Sequence, residues 1–240
     1  MARLTTFLLA LTLLFSYAAA IPQPARQFYA RQSSATDDDF FTPPPGFEST
    51  TPGTILAHRP FIPGIFGFIQ VPVDGYQLLF RSTALDGSAI AGATTIFVPH
   101  NTQLKDRYVQ FHTAYDTSAI KCNPSLNYIY NSTQTNSVVS VEMLYIEFYL
   151  ALGYIVASPD FEGPDAAFGA GILTGRMVLD SMKAINAFHD TIGFTTDSPM
   201  IVGTGYSGGS IACGFAAELQ ASYAPQLDVK LWSFGGIVAK

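Results

Sequence analysis

From residue 76 onward, short β-branched or aromatic runs alternate with stretches whose apolar residues recur at helical spacing. The runs cover 76–83, 94–99, 108–115, 154–158, 200–204 and 230–237, with three helical stretches among them. Strands alternating with helices are the signature of βαβ units, so the pattern predicts an α/β domain: a mostly parallel sheet with helices on both faces. In the first helical stretch Val141, Leu144, Tyr145, Phe148 and Leu152 form one apolar stripe. Ser140 stands at its N-cap position and Gly153 at its stop, which predicts an amphipathic helix leading into the next strand. The second stretch, over 170–189, aligns Val178, Met182 and Ile185. The third begins directly after Ser207 and carries Ile211, Phe215 and Leu219 on one face. Its Gly208, Gly209, Ala212 and Gly214 let the backbone approach the sheet.

Before residue 73 this periodicity is lost. Nine prolines fall within 21–72, beside the acidic run 37–39, which excludes a helix bundle or a central strand there. The segment predicts an extended Pro-rich N-terminal arm with Phe61, Ile62, Ile65, Phe66 and Phe68 as apolar anchors, leaving 73–240 as the α/β domain. Ahead of it, Arg3 precedes an apolar run over 4–19 that closes on Ala18, Ala19 and Ala20. A run this short, ending in small residues, is a cleaved signal peptide over 1–20, so the product is expected to be secreted. No later stretch reaches the length of a span, and no transmembrane anchor is expected. Asn131-Ser132-Thr133 is a glycosylation sequon that fits this route, whereas Asn123-Pro124-Ser125 is blocked by its proline.

Composition narrows the function classes. Charged residues are 12% of the chain and hydrophobic residues 48%, against roughly 25% charged in an average domain, so the chain has the means to bury a core and is not disordered. A net charge of −6, with no Lys/Arg cluster, removes the electrostatic basis for nucleic-acid binding. No His/Cys cluster has metal-ligand spacing and no G-x-G-x-x-G or P-loop occurs, so neither a metal nor a cofactor is expected. Cys122 and Cys213 leave a bridge between them, an unpaired buried thiol or an outside partner open.

The chemistry centres on Gly205-Tyr206-Ser207-Gly208-Gly209, a G-x-S-x-G motif between a predicted strand and a predicted helix. An ordinary Gly/Ser turn also fits these five residues. The strand before and the helix after favour a nucleophile elbow, in which a serine is held out on a strained turn. The helix N-terminus then supplies positive potential, and the Gly208 amide is free to face a developing oxyanion. Asp116 follows an earlier strand, where this fold draws its second oxyanion donor, but its position equally suits an Asx-turn or cap. Asp160 and Glu162 are similarly placed and read first as loop structure. The fold's triad order is Ser, acid, His, yet all four histidines, His58, His100, His112 and His189, precede Ser207. Each has an ordinary structural explanation. Beyond Ser207 the only carboxylates are Glu218 and Asp228.

Four stretches together resemble the fungal secretory lipases, the lipase A-like branch of the α/β-hydrolases. They are Asp38-Asp39-Phe40-Phe41-Thr42-Pro43-Pro44, the run from Tyr115-Asp116-Thr117 to Asn123-Pro124-Ser125, Asp160-Phe161-Glu162-Gly163 leading to Ala166-Ala167-Phe168, and the G-x-S-x-G motif. The resemblance implies a secreted carboxylic ester hydrolase acting on triacylglycerol or another lipophilic ester at a lipid–water interface. It implies Ser207 as the nucleophile, with Asp116 and the Gly208 amide forming the oxyanion hole. Members of that family continue for about as many residues again, and that half supplies the triad Asp and His, the lid and much of the acyl tunnel. The chain therefore resembles an N-terminal half: an incomplete α/β-hydrolase fold of absent or residual activity, with Cys122 unpaired and Cys213 a small buried hydrophobe. The alternative is a non-catalytic secreted lipid-binding product.

Overall fold

The computed structural model describes residues 38–100, 102–133 and 136–237. The expected signal peptide and the first part of the Pro-rich arm lie outside the described residues. In chain order the strands are β1 (Ile55–Phe61), β2 (Gly64–Ile65), β3 (Ile69–Gln70), β4 (Asp74–Thr83), β5 (Ala89–Val98) and β6 (Arg107–His112). Helices α1 (Pro124–Asn127) and α2 (Ser137–Ala151) lead to β7 (Ile155–Pro159), and α3 (Gly171–Ala187) and α4 (His189–Ile192) lead to β8 (Met200–Tyr206). Helix α5 (Gly208–Tyr223) and β9 (Val229–Gly235) follow.

Seven strands form one sheet in the order β1-β4-β5-β7-β6-β8-β9. Strands β7, β6, β8 and β9 run parallel, as crossover helices require, and β1, β4 and β5 extend the sheet antiparallel. Alternation along β6 shows what covers each face. Phe111 stacks against Tyr145 and Tyr149 of α2. Its neighbours in the sequence point the other way: Gln110 Nε2 donates to Ser181 Oγ of α3 at 2.6 Å, and His112 Nδ1 lies 3.1 Å from Cys213 Sγ of α5. Helices thus cover both faces, and every residue of β7 is buried between them.

Three local expectations are corrected. The strand predicted over 108–115 ends at His112, and 113–117 turns out of the sheet. Helix α2 starts a turn earlier than Ser140 suggests, because Asn136 Oδ1 caps it by accepting from the Val138 amide at 2.9 Å. Its predicted apolar stripe also faces outward: Val141, Leu144, Tyr145, Phe148 and Leu152 are exposed, while Val139, Met143, Ile146 and Leu150 are buried. The helix is apolar on two sides, so periodicity alone selects the wrong one.

Within the Pro-rich segment, β1 was not predicted. It pairs antiparallel with β4 and occupies the sheet's edge, where Pro60 costs no interior ladder bond. Arg59 fastens residues 38–41 onto this edge: its guanidinium donates to Gln77 Oε1 at 2.8 and 2.9 Å, pairs with Asp38 at 2.7 Å and lies 4.2 Å from the Phe40 ring centre. At the other edge β9 exposes Leu231 and Phe234. No helix among the described residues is long and apolar enough to cross a membrane.

Candidate active site

The turn from β8 into α5 places Ser207 at φ 53°, ψ −121°, a conformation that side chains rarely adopt. Its backbone is tied at both ends. The Ser207 amide donates to the Gly235 carbonyl at 3.0 Å, and the Ser207 carbonyl accepts from the Ser210 amide at 2.9 Å. The flanking glycines are required by space: a Cβ on Gly205 would meet the Gly209 carbonyl oxygen at 2.5 Å, and one on Gly209 would fall on the His112 carbonyl. Small residues Ala212, Cys213 and Ala216 face the sheet below, so α5 sits close against β6 and β8. The Ser207 side chain itself is exposed.

Beside it stands Asp116, also strained, at φ 38°. A Cβ on Gly208 would fall on the Asp116 carboxylate, so these two residues touch directly. The Asp116 carboxyl titrates above its ordinary value because it is partly buried, and the Gly208 amide donating to it partly offsets that rise. A backbone amide at a helix N-terminus, already facing an anionic oxygen, is suited to an oxyanion.

The loop carrying Asp116 is fixed by groups that are not adjacent in sequence. The Ala114 amide donates to Glu142 Oε2 of α2 at 3.0 Å, and Tyr115 Oη accepts from the Glu162 amide at 2.8 Å. Thr113 Oγ1 hydrogen-bonds Tyr128 Oη. Burial raises the Glu142 carboxyl, with the Ala114 amide opposing and the Asp116 charge assisting. Burial likewise pushes Asp160 up to about 7, although Ser125 donates to it through both its hydroxyl, at 2.5 Å, and its amide, at 2.9 Å. Next to the turn opens a cavity of ≈ 390 Å³, lined by Phe111, Glu142, Phe148, Tyr149, Tyr206 and Phe234 among others.

Residues 129–240 match the Secretory lipase family. The chain is 37% identical over 236 residues to the secreted triacylglycerol lipase LIP7 of Malassezia globosa, covering 96% of this chain and 50% of that protein. It is 40% identical over 205 residues to LIP1 of Malassezia furfur, covering 83% of this chain and 40% of that protein. The chain belongs to the secretory lipase family. Its fold is that of an α/β-hydrolase: Candida antarctica lipase A in its closed state superimposes with a TM-score of 0.70 at 29% identity, over 80% of this chain and 44% of that one. The esterase LipA of Xanthomonas oryzae shares the fold at a TM-score of 0.53 and 13% identity. This family member thus spans about half the length of the curated relatives it matches.

The structure brings Ser207, Gly208 and Asp116 together. None of the four histidine side chains hydrogen-bonds Ser207, although His112 lies beneath the turn. His112 is wholly buried, stacked on Trp232 at 6.2 Å and pushed by burial to about 3, so it is uncharged. The His58 ring packs on Phe188, His100 Nε2 lies 3.3 Å from Asp74, and His189 Nδ1 lies 3.0 Å from the Asn186 carbonyl. Both cysteines are free, Cys213 fully buried under the turn and Cys122 half-buried. Of the groups that hold the loop, Glu162 is visible in the sequence only as the partner of Asp160, and Glu142 carries no sequence signal because its role depends on α2 crossing that loop.

Proposed function

We propose that this secretory lipase family member is a secreted carboxylic ester hydrolase whose Ser207 attacks the carbonyl of a lipophilic ester. The hydroxyl adds to the carbonyl carbon, and the oxyanion is received by the Gly208 amide with the backbone N–H of Asp116 as the second donor. Collapse expels the alcohol and leaves an acyl-enzyme that water hydrolyses to the free acid. The observation that carries this reading is Ser207 held exposed in a strained conformation, with Asp116 seated directly on the next residue. The names of the relatives, secreted triacylglycerol lipases, support a lipid ester as the substrate and secretion as the destination.

The acylation step also needs a base for the serine proton. His112, the one histidine beneath the turn, is uncharged and enclosed, and its ring contacts Cys213 rather than the Ser207 hydroxyl. Among the described residues none of the histidines' side chains contacts Ser207, so this reading predicts slow acylation by these 240 residues. Losing the base of such a triad costs on the order of 10⁶ in kcat, about 8 kcal/mol of barrier. Hydrolysis of a short-chain nitrophenyl ester by the purified chain is expected to be residual and to vanish in Ser207→Ala. Residual turnover that persists in the variant overturns the nucleophile, and lipase-like rates overturn the missing base.

A second reading, a lipid-binding product without turnover, is favoured by the outward apolar stripe on α2. A fluorophosphonate probe separates the two, because an activated serine is labelled and an inert one is not.

A further inference from the structure

Glu162 is a carboxyl that neither hydrolysis nor ordinary packing accounts for. None of its surface is exposed, and neither side-chain oxygen has a hydrogen-bond partner among the described residues. Buried carboxyls are normally paired, because removing a charge from water without a partner is expensive. Glu162 instead lies among like charges. Asp116 and the Thr117 amide face it from the loop after β6, Asp160 faces it from the end of β7, and Tyr115 adjoins it. No Lys or Arg is among these groups. The Thr117 amide faces the carboxyl and opposes the rise in its titration, without meeting full hydrogen-bond geometry.

Its backbone is tied into the same loop. The Glu162 amide donates to Tyr115 Oη at 2.8 Å, and its carbonyl accepts from the Ala167 amide at 2.8 Å. Strained residues stand on both sides, Asp116 at φ 38° and Ala166 at φ 48°. Strain of this kind persists only where the surroundings over-determine it.

Resting on the assignment of Asp116 and Gly208 to the oxyanion site, we propose that Glu162 is a positioning residue for that site. Its uncharged carboxyl fills the space beneath loop 113–117 and keeps Asp116 against the N-terminus of α5, and ionising it displaces the loop. As a neutral acid Glu162 keeps its proton and adds no charge beside Asp116. Once that proton passes to solvent, the new carboxylate meets Asp116 and Asp160 as like charges, with only the Thr117 amide in opposition. Burial, reinforced by those two charges, lifts its titration to about 8, so the uncharged form dominates at neutral pH.

The test needs no turnover. In the ¹⁵N-labelled 240-residue chain, the backbone amide signals of Asp116, Thr117 and Gly208 are expected to move together between about pH 7 and 9, around the titration of a carboxyl raised by burial. Glu162→Gln, which keeps an uncharged side chain of the same shape, abolishes that step and retains the low-pH signal positions. Asp160→Asn keeps the step and shifts it to lower pH, because one like charge is gone. Signals that stay flat in the unmodified chain from pH 6 to 10 overturn the proposal, as does a step that survives Glu162→Gln. If Glu162→Gln does not fold, Asp160→Asn assigns the step: a step that disappears with the Asp160 carboxyl overturns the proposal. Labelling of Ser207 by a fluorophosphonate reports on the hydrolase reading separately: labelled serine with flat amides rejects only the role of Glu162, and a clear step with unlabelled serine rejects only the hydrolase reading.

Discussion

Replacing Ser207 by glycine is expected to stabilise the protein while removing its proposed chemistry. At φ 53°, ψ −121°, the serine occupies backbone space open essentially to glycine alone, and holding a side chain there costs about 1–3 kcal/mol. The hydroxyl gives little back, since Ser207 makes no side-chain hydrogen bond to the helix that it begins. Glycine relieves the strain and loses about 0.5–1 kcal/mol through the greater freedom of the unfolded chain. The balance is a gain of about 1 kcal/mol, or about 2–4 °C in Tm for a domain of this size. Ser207→Ala keeps the Cβ and therefore the strain, so its Tm stays near that of the unmodified protein. Thermal unfolding followed by circular dichroism, on the three proteins side by side, measures both differences. A Ser207→Gly protein that melts below the unmodified one by the ordinary glycine penalty would show that the turn is relaxed, and the inference from strain to a nucleophile would go with it.

Gly209→Ala should act in the opposite direction: its Cβ falls on the His112 backbone carbonyl, which has no rotamer to yield, and a loss of about 1–3 kcal/mol is expected as a lower Tm. Stability should also fall as pH rises from about 4 to about 7. Burial lifts Asp160 from 3.8 to about 7, so the folded state holds that proton more tightly than the unfolded state, and the stability it confers is complete below 3.8 and lost as pH passes 7. Urea midpoints at several pH values measure this, and Asp160→Asn should flatten the slope; an unchanged slope in the variant refutes the assignment. Asn131 is exposed, at φ 62° in the loop before α2, so the secreted protein is expected to carry a glycan there. A mass loss on amidase treatment that is absent in Asn131→Gln checks it.

The parallel half of the sheet and the strand, turn and helix around Ser207 were legible because local signals agreed there: β-branched runs, a Gly-flanked serine, then a helix with small residues on its inner face. Legibility failed where a residue's meaning depends on what packs against it. Strand β1 hides behind Pro60, which is tolerated only because the strand lies at an edge, a fact of topology that the segment does not contain. The stripe Val141, Leu144, Tyr145, Phe148 and Leu152 has faultless helical spacing, yet the opposite face of α2 is equally apolar and is the one buried. Asp116 was recognisable by position and family resemblance, whereas its seat on Gly208 is a contact between distant parts of the chain. Glu142 and Glu162 read as ordinary carboxylates until burial reveals that neither has a cation beside it in the loop they support.

The most direct measurement is the site and rate of fluorophosphonate modification, read by mass spectrometry on the intact chain and on Gly208→Ala. A serine held at an oxyanion site retains about 10³–10⁴ of acceleration even without its base. The adduct is therefore expected on Ser207 alone, slowly, yet far faster than on any other exposed serine, and it should be lost when a methyl group pushes Asp116 off residue 208. Modification spread over several surface serines, or a Ser207 rate no greater than theirs and indifferent to Gly208→Ala, would contradict a nucleophile at this turn.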